Sequence, residues 1–184
     1  MKKKIFEHIS NHINLIKNNF GYFSDEIQKI TNEVKKTIKR NGTIFLAGNG
    51  GSAADCEHIA GELIGRYKKK RKPFKAISLT TDTSVLTCIA NDFGYDKIFE
   101  RQLEGLGKKG DILIAMSTSG KSKNIIKLLK KAKLMKIKTI ALLGNKGGYC
   151  KNLSDLSIII PSQNTANIQE VHHLIGHVVC NILD

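Results

Sequence analysis

Apolar residues recur at different spacings along the chain, and the change of spacing divides it in two. In residues 1–41, apolar side chains repeat every three or four positions from Ile5 to Phe20, the pattern of one face of an α-helix. A second amphipathic helix is predicted from Ser24, as its N-cap, to Arg40. Residues 42–184 instead alternate short apolar runs with helical patterns.

Five short apolar runs are predicted to be β-strands, at 43–47, 75–79, 111–116, 137–143 and 156–160. The helices after them are predicted to begin near residues 52, 82, 98, 123 and 165, with a turn over Asn91–Tyr95. Buried strands that alternate with helices indicate a parallel sheet covered on both faces. The predicted fold is therefore α/β: a doubly wound sheet of about five parallel strands in a three-layer αβα arrangement. One domain is expected to span residues 1–184.

The two N-terminal helices fall outside this pattern, and their apolar stripes must be buried somewhere. Packing on the chain's own sheet is one possibility. An interface with other subunits is favoured, because a doubly wound domain over residues 42–184 is complete without them.

Composition is typical of a globular domain, with 41% hydrophobic and 25% charged residues. No apolar run approaches the length of about 20 residues that a membrane span needs. The basic start Met1–Lys4 is not followed by an apolar signal core. Four scattered cysteines without a CxxC pair favour reduced, mostly buried thiols. A cytoplasmic protein without a membrane partner is expected.

The formal net charge of +14 raises the question of nucleic-acid binding. Lys68–Lys72 is the only dense basic cluster, and it lies in a loop before Pro73. The chain has no Trp and only 6% aromatic residues, so it offers few platforms for base stacking. Solvated faces that attract anionic substrates are the favoured interpretation, and no nucleic-acid partner is expected.

The segment Ser117–Ser122 follows the third predicted strand and precedes a helix, and four of its six residues carry hydroxyl groups. A helix N-terminus with free N–H groups favours an anion there, so the segment predicts a phosphate site. It lacks the first glycine of a nucleotide-binding P-loop, because Ala115 stands at that position. The earlier segment Gly48–Ala53 resembles a dinucleotide-binding fingerprint. That fingerprint needs an acidic residue at the end of the next strand to bind the ribose, and Asp82 comes too late after the strand to do so.

His58 and Glu62 are one helical turn apart and project from one helix face. Imidazole with carboxylate suits zinc or a general acid and base. On the last helix, Gln169, His173 and His177 step by four into a polar ladder, and spacing alone does not choose between the two histidines. The small neighbour of His177, a glycine, would allow a substrate or another helix to approach.

Several ordered motifs resemble the phosphoheptose isomerases of the sugar isomerase (SIS) domain superfamily over nearly the whole chain. They are Ala47–Asp55, Glu62–Arg66, Asn91–Tyr95, Ser117–Gly120 and Ile168–His172. The resemblance implies isomerisation of sedoheptulose 7-phosphate to D-glycero-D-manno-heptose 7-phosphate through an enediolate. That reaction would begin heptose biosynthesis for lipopolysaccharide or capsule.

The resemblance also implies residue roles. Glu62 would be the general base and His177 its acid–base partner. One zinc ion per subunit would be held by His58, Glu62, Gln169 and His177. Substrate contacts would come from Asn49, Gly50, Gly51, Glu62, Asn91, Asp92, Ser117, Thr118, Ser119, Ser122 and Gln169. A homotetramer with active sites at subunit interfaces is implied as well.

One departure is Lys121, where a small polar residue is expected. Two alternatives stay open: a non-catalytic SIS module that binds a sugar phosphate or a replication initiator, and an isomerase for another sugar phosphate. The set His58, Glu62, Gln169 and His177 favours an enzyme, because a binding module has no need for all four.

Overall fold

The computed structural model describes residues 1–184 as one five-stranded sheet covered by seven α-helices. The strands are Ile44–Ala47 (β1), Ala76–Ser78 (β2), Ile112–Ser117 (β3), Lys138–Gly144 (β4) and Leu156–Ile160 (β5). The helices are Lys2–Asn18 (α1), Phe20–Lys39 (α2), Gly51–Ile64 (α3), Thr83–Phe93 (α4), Glu100–Leu106 (α5), Lys123–Leu134 (α6) and Thr165–Leu183 (α7). Short 3₁₀ turns occur at Tyr95–Lys97 and Cys150–Leu153.

All strand pairs are parallel, and the order across the sheet is β2-β1-β3-β4-β5. This confirms the predicted doubly wound αβα fold. The strand order reverses between β1 and β3, where Ile44 pairs with Ile112. In such sheets the ligand crevice lies at the carboxyl ends of the two strands that flank this switch point.

Side-chain alternation along the strands builds two cores, one on each face of the sheet. Ile44 and Leu46 of β1 face a cluster with α2, α3 and α7, whereas Phe45 and Ala47 face a cluster with α4, α5 and α6. Both faces of the sheet are therefore shielded from solvent, which explains why the strands are nearly continuous apolar runs. The first core holds α3 and α7 against each other, and these two helices carry the candidate site.

The N-terminal helices behave differently from each other. Helix α2 buries Phe23, Ile30 and Val34 against the first core, so it packs on its own sheet. Helix α1 buries no residue, and Phe6 in its apolar stripe is 72% exposed. The role of α1 in an interface with other subunits stays a prediction.

Two boundary predictions are wrong. Ser24 is not an N-cap, because α2 begins at Phe20 and the Ser24 hydroxyl donates to the Phe20 carbonyl at 2.9 Å within the helix. Serine inside a helix commonly bonds back to the carbonyl four residues earlier. The predicted turn over Asn91–Tyr95 begins too early, because α4 continues to Phe93 and ends where Gly94 takes a φ of 92°.

None of the helices combines the length and the apolar character needed to cross a membrane. Three of the four free cysteines are buried as expected, and Cys88 is exposed.

Candidate functional site

The loops after β1 and β3 meet at the switch point of the sheet and hold each other in place. Asn49 and Asn124 exchange two side-chain hydrogen bonds, of 3.0 Å from Asn49 Nδ2 and 2.7 Å from Asn124 Nδ2. The Tyr95 hydroxyl donates to Asn49 Oδ1 at 3.1 Å. The predicted substrate residue Asn49 is therefore fixed by partners that are distant in sequence.

Glycines at the start of α3 bring the last helix close. Gly50 has a φ of 56°, which favours glycine. A Cβ atom on Gly51 would lie 2.7 Å from Gln169 Nε2, so a larger residue at this position would require the Gln169 amide to move. Gln169 and Gly51 line a concavity of about 450 Å³ together with Asp55, Ala166, Glu170 and His173.

The hydroxyl-rich segment after β3 folds into a compact loop at the N-terminus of α6. Ser117 Oγ accepts a hydrogen bond from the Gly120 N–H at 3.1 Å, and Ser119 Oγ accepts from the Lys121 N–H at 3.1 Å. The hydroxyl oxygens of Ser117 and Ser122 lie 3.3 Å apart. The Ser122 side chain does not cap α6, and the Ile125 N–H donates to Asn124 Oδ1 at 2.9 Å, so the N–H groups of Lys123 and Asn124 remain available to an anion.

Three imidazoles form the centre of the site. The candidate ligand atoms of His58, His173 and His177 all lie within 4.8 Å of one another, and His58 Nε2 is 2.9 Å from His177 Nε2. Spacing left His173 and His177 as alternatives, and in the structure both lie beside His58 of α3, so the role of each stays a prediction. Asp55 Oδ1 lies 2.8 Å from His173 Nδ1, a contact that orients the ring in the way carboxylates orient metal-binding histidines.

Glu62 lies beside this group, with Oε1 3.5 Å from His58 Nε2. Its side chain is 23% exposed, so the carboxylate is shielded but still in contact with solvent. Tyr67 lies next to His177, with its ring centre 5.3 Å from that of the imidazole.

The electrostatics favour a neutral imidazole at His177. Burial lowers the pKa of His177, and the neighbouring His173 and His58 lower it further, whereas Glu62 acts in the opposite direction. Metal ions bind the neutral form of histidine. Three convergent imidazole nitrogens with an adjacent carboxylate are a donor set that fits zinc.

Asn91 and Asp92 lie apart from the histidine group, on the last turn of α4. Their side chains are exposed and bond to each other, with Asn91 Nδ2 donating to Asp92 Oδ1 at 2.8 Å. Within one chain, the structure does not bring these two predicted substrate residues into contact with the histidines.

Sequence reasoning missed several residues of the site. Asp55 carried a signal, because it lies three residues before His58 on the same helix. Asn124 and Tyr67 carried none, because their contacts depend on the order of the strands and on the path of a loop.

Comparisons with known proteins show the family of the chain. A family profile described as SIS domain matches residues 8–144. The phosphoheptose isomerase of a Nitratiruptor species is 51% identical over 149 residues, which cover 81% of this chain and 80% of that protein. The phosphoheptose isomerase of Aliarcobacter butzleri is 45% identical over 100% of this chain and 97% of its own length. Among solved structures, phosphoheptose isomerase from Neisseria gonorrhoeae superposes with a TM-score of 0.94 at 34% identity, covering 100% of this chain and 98% of that one.

The family profile identifies this doubly wound domain as a SIS domain. The chain belongs to the SIS domain family and, within it, to the phosphoheptose isomerases.

Proposed function

We propose that the protein converts sedoheptulose 7-phosphate to D-glycero-D-manno-heptose 7-phosphate, the first step of heptose biosynthesis. The observation that carries the proposal is the meeting of Glu62 with His58 and His177 between α3 and α7. A carboxylate and an imidazole at one site can move the two kinds of proton that a ketose-to-aldose conversion requires. The relatives at 45% and 51% identity are phosphoheptose isomerases, which supports the same reaction here.

Glu62 is proposed as the general base. It takes a proton from C1 of the ketose, the C1–C2 enediolate forms, and the same proton or one from solvent returns to C2. His177 transfers the proton between the oxygens on C1 and C2, so that the C2 carbonyl becomes a hydroxyl and C1 becomes the aldehyde.

The phosphate is proposed to bind at the loop Ser117–Ser122. Hydroxyl groups and the open N-terminus of α6 suit a dianion. Binding of the phosphate, which is distant from C1 and C2, orients these reacting carbons and supplies binding energy to the chemical step. Asn49, Gly50, Gly51 and Gln169 lie at the neighbouring strand end, where the sugar hydroxyls would be bound.

We propose one zinc ion per subunit, held by His58, Glu62, Gln169 and His177, with His173 as a further candidate ligand. Zinc bound there would polarise the substrate carbonyl and stabilise negative charge on its oxygen. Chelation is expected to lower the unfolding temperature, and added zinc to restore it, because a ligand that binds only the folded chain stabilises it. An unfolding temperature that changes neither with chelator nor with added zinc would contradict the zinc assignment.

A homotetramer with active sites at subunit interfaces is proposed for the assembly, in the cytoplasm. The exposed apolar stripe of α1 supports it, since Ile5, Phe6, Ile9 and Ile13 are each more than half exposed in one chain. A partner subunit would also supply an environment for Asn91 and Asp92, which are remote from the histidines of their own chain.

The function is tested by NMR detection of the aldose product in wild-type, Glu62→Gln and Glu57→Gln proteins. Glu57 is the matched control, because it is an exposed carboxylate on the same helix. Glu62→Gln is expected to lose at least about 10²-fold in turnover while it still binds the sugar phosphate. Near-normal turnover would remove Glu62 as the base. Sugar-phosphate binding without aldose product, at any zinc concentration, would favour the non-catalytic SIS module.

A further inference from the structure

Arg71 differs from the other residues of the basic cluster Lys68–Lys72. This cluster lies in the loop between α3 and β2, and its lysines are exposed. The Arg71 side chain is only 12% exposed and points inward. A guanidinium that is withdrawn from water inside a solvated loop requires a structural partner.

The guanidinium joins the end of α3 to the end of α7. Arg71 Nη2 donates to the Glu62 carbonyl at 2.9 Å, and Nη1 donates to the Leu63 carbonyl at 2.9 Å. These carbonyls belong to the last turn of α3, where helical partners are missing and a positive charge is favoured. On its other edge, Arg71 Nε donates to Asp184 Oδ1 at 2.7 Å.

Asp184 closes the same arrangement from the side of α7. It follows Leu183 as the C-cap residue of that helix, and its carboxylate is 2% exposed. Its second oxygen, Oδ2, accepts hydrogen bonds from the backbone N–H groups of Lys68 at 2.5 Å and Lys69 at 3.0 Å. These two N–H bonds, and then Arg71, lower the pKa of Asp184 to about 2, so the carboxylate is ionised at any working pH.

The loop held in this way also contacts the site. Tyr67 precedes the two N–H donors, and its ring lies against His177. On the far side, the Arg71 guanidinium stacks on Phe74 at 4.0 Å from the ring centre, and Phe74 packs against the first core. The loop is therefore attached at both of its ends and at its middle.

We propose that Arg71 and Asp184 form a clamp that positions the proton-transfer pair. Arg71 holds the backbone of Glu62 directly, and Asp184 links it to the helix and to the loop that place His177. Both residues are positioning residues, because they act through the backbone rather than on substrate. The inference rests on the proposed isomerase site and adds two residues to it.

The kinetic test compares Arg71→Ala, Arg71→Lys and Asp184→Asn with Lys70→Ala, an exposed neighbour in the same loop. Displacement of a catalytic group by about 1 Å can cost on the order of 10²-fold in rate. We expect Arg71→Ala and Asp184→Asn to lose about 10- to 10²-fold in kcat per folded molecule, with KM changed less than about threefold. Lys70→Ala is expected to match wild type.

Arg71→Lys separates positioning from charge. Lysine keeps the positive charge but has no planar fork that can reach two carbonyls and a carboxylate together. We therefore expect Arg71→Lys to recover thermal stability relative to Arg71→Ala but to keep a kcat at least about tenfold below wild type. A kcat close to that of Lys70→Ala in both Arg71→Lys and Asp184→Asn would overturn the proposal.

A thiol measurement tests the clamp without activity. Cys180 is fully buried one turn before Asp184, and burial raises the pKa of its thiol to about 12. A disulfide reagent, with mass spectrometry to assign the modified cysteine, is expected to label only the exposed Cys88 quickly in wild type. Arg71→Ala and Asp184→Asn should make Cys180 react at least about tenfold faster, and an unchanged Cys180 rate in both variants would overturn the clamp. If wild type shows no isomerase activity, the proposed function fails, and the thiol rates alone then decide whether the clamp exists.

Discussion

Gly176→Ala is predicted to separate α3 from α7 and thereby to disturb the site. A Cβ atom at this position would lie 2.5 Å from Ile59 Cδ1 and 2.7 Å from Ile59 Cγ1. Carbon atoms in contact are about 3.5–4.0 Å apart, so the two helices must move by about 1 Å or Ile59 must leave its rotamer. Gly176 adjoins His177 and Ile59 adjoins His58, so the displacement is applied directly at the histidine pair.

The expected cost follows from opposing effects. Overpacking a close contact costs about 1–3 kcal/mol, whereas alanine gains about 1 kcal/mol over glycine in a helix. A net loss of up to about 2 kcal/mol in the free energy of unfolding is predicted, so Gly176→Ala should be about 1–3 kcal/mol less stable than an alanine variant at an uncrowded helical glycine. Because the site tolerates little displacement, kcat is predicted to fall by about 10- to 10²-fold.

Urea unfolding and the isomerase assay measure the two effects, with Gly61→Ala as the matched control. Gly61 lies in α3, and its added Cβ would have nothing within 4 Å, so this variant should be slightly stabilised and fully active. In Gly176→Ala/Ile59→Ala, the two nearest atoms are removed. Ile59→Ala alone should cost about 2–5 kcal/mol, and the double variant should cost at least about 0.5 kcal/mol less than the sum of the single variants.

Two results would refute this reasoning. Gly176→Ala could prove as stable and as active as Gly61→Ala, which would mean that the helices do not depend on the close contact. Alternatively, strict additivity with Ile59→Ala would show that the cost does not arise from that pair.

Three further predictions concern the surrounding loops. Gly120→Ala should lower the free energy of unfolding by at least about 1–2 kcal/mol in urea titrations, because Gly120 has a φ of 63° and its Cβ would strike the Gly147 carbonyl. Asn124→Ala should raise KM about fivefold in initial-rate assays, since Asn49 loses a hydrogen-bonding partner worth about 1 kcal/mol; an unchanged KM would separate Asn49 from substrate. The folded-state pKa of Asp184 is depressed, so its contribution to stability is present above about pH 4 and is lost as the pH falls towards 2; urea titrations across this range should show a smaller pH dependence in Asp184→Asn.

The fold was predictable because each strand is buried on both faces. Ile112 through Met116 form one apolar run, and such runs between amphipathic helices indicate a parallel sheet. Helix ends were less predictable. Ser24 has the side chain of an N-cap, but the start of α2 is set by the break at Asn19, and apolar periodicity runs across that break.

The candidate site was predictable where its residues share one helix face or one loop. His58 with Glu62, and His173 with His177, follow from helical spacing. The contacts between these pairs depend on the packing of α3 against α7, which rests on Gly176 meeting Ile59. Sequence allowed either a substrate or a helix to approach that glycine, and the structure shows the helix.

Arg71 illustrates why the remainder could not be predicted. In the sequence it is one of five consecutive basic residues, and although it is the only arginine among them, its position does not reveal a partner. Its role depends on Asp184, which is 113 residues away, and on carbonyl groups that any sequence would supply.

Proton transfer by Glu62 is tested most directly by NMR of the reaction in deuterium oxide. Because the Glu62 side chain is 23% exposed, a proton on its carboxyl group can exchange with solvent before it returns to C2. We predict aldose heptose 7-phosphate with deuterium at C2 in part of the product, and loss of that product in Glu62→Gln. Absence of aldose product in wild type, or aldose product formed at an undiminished rate by Glu62→Gln, would contradict the assignment of Glu62 as the base.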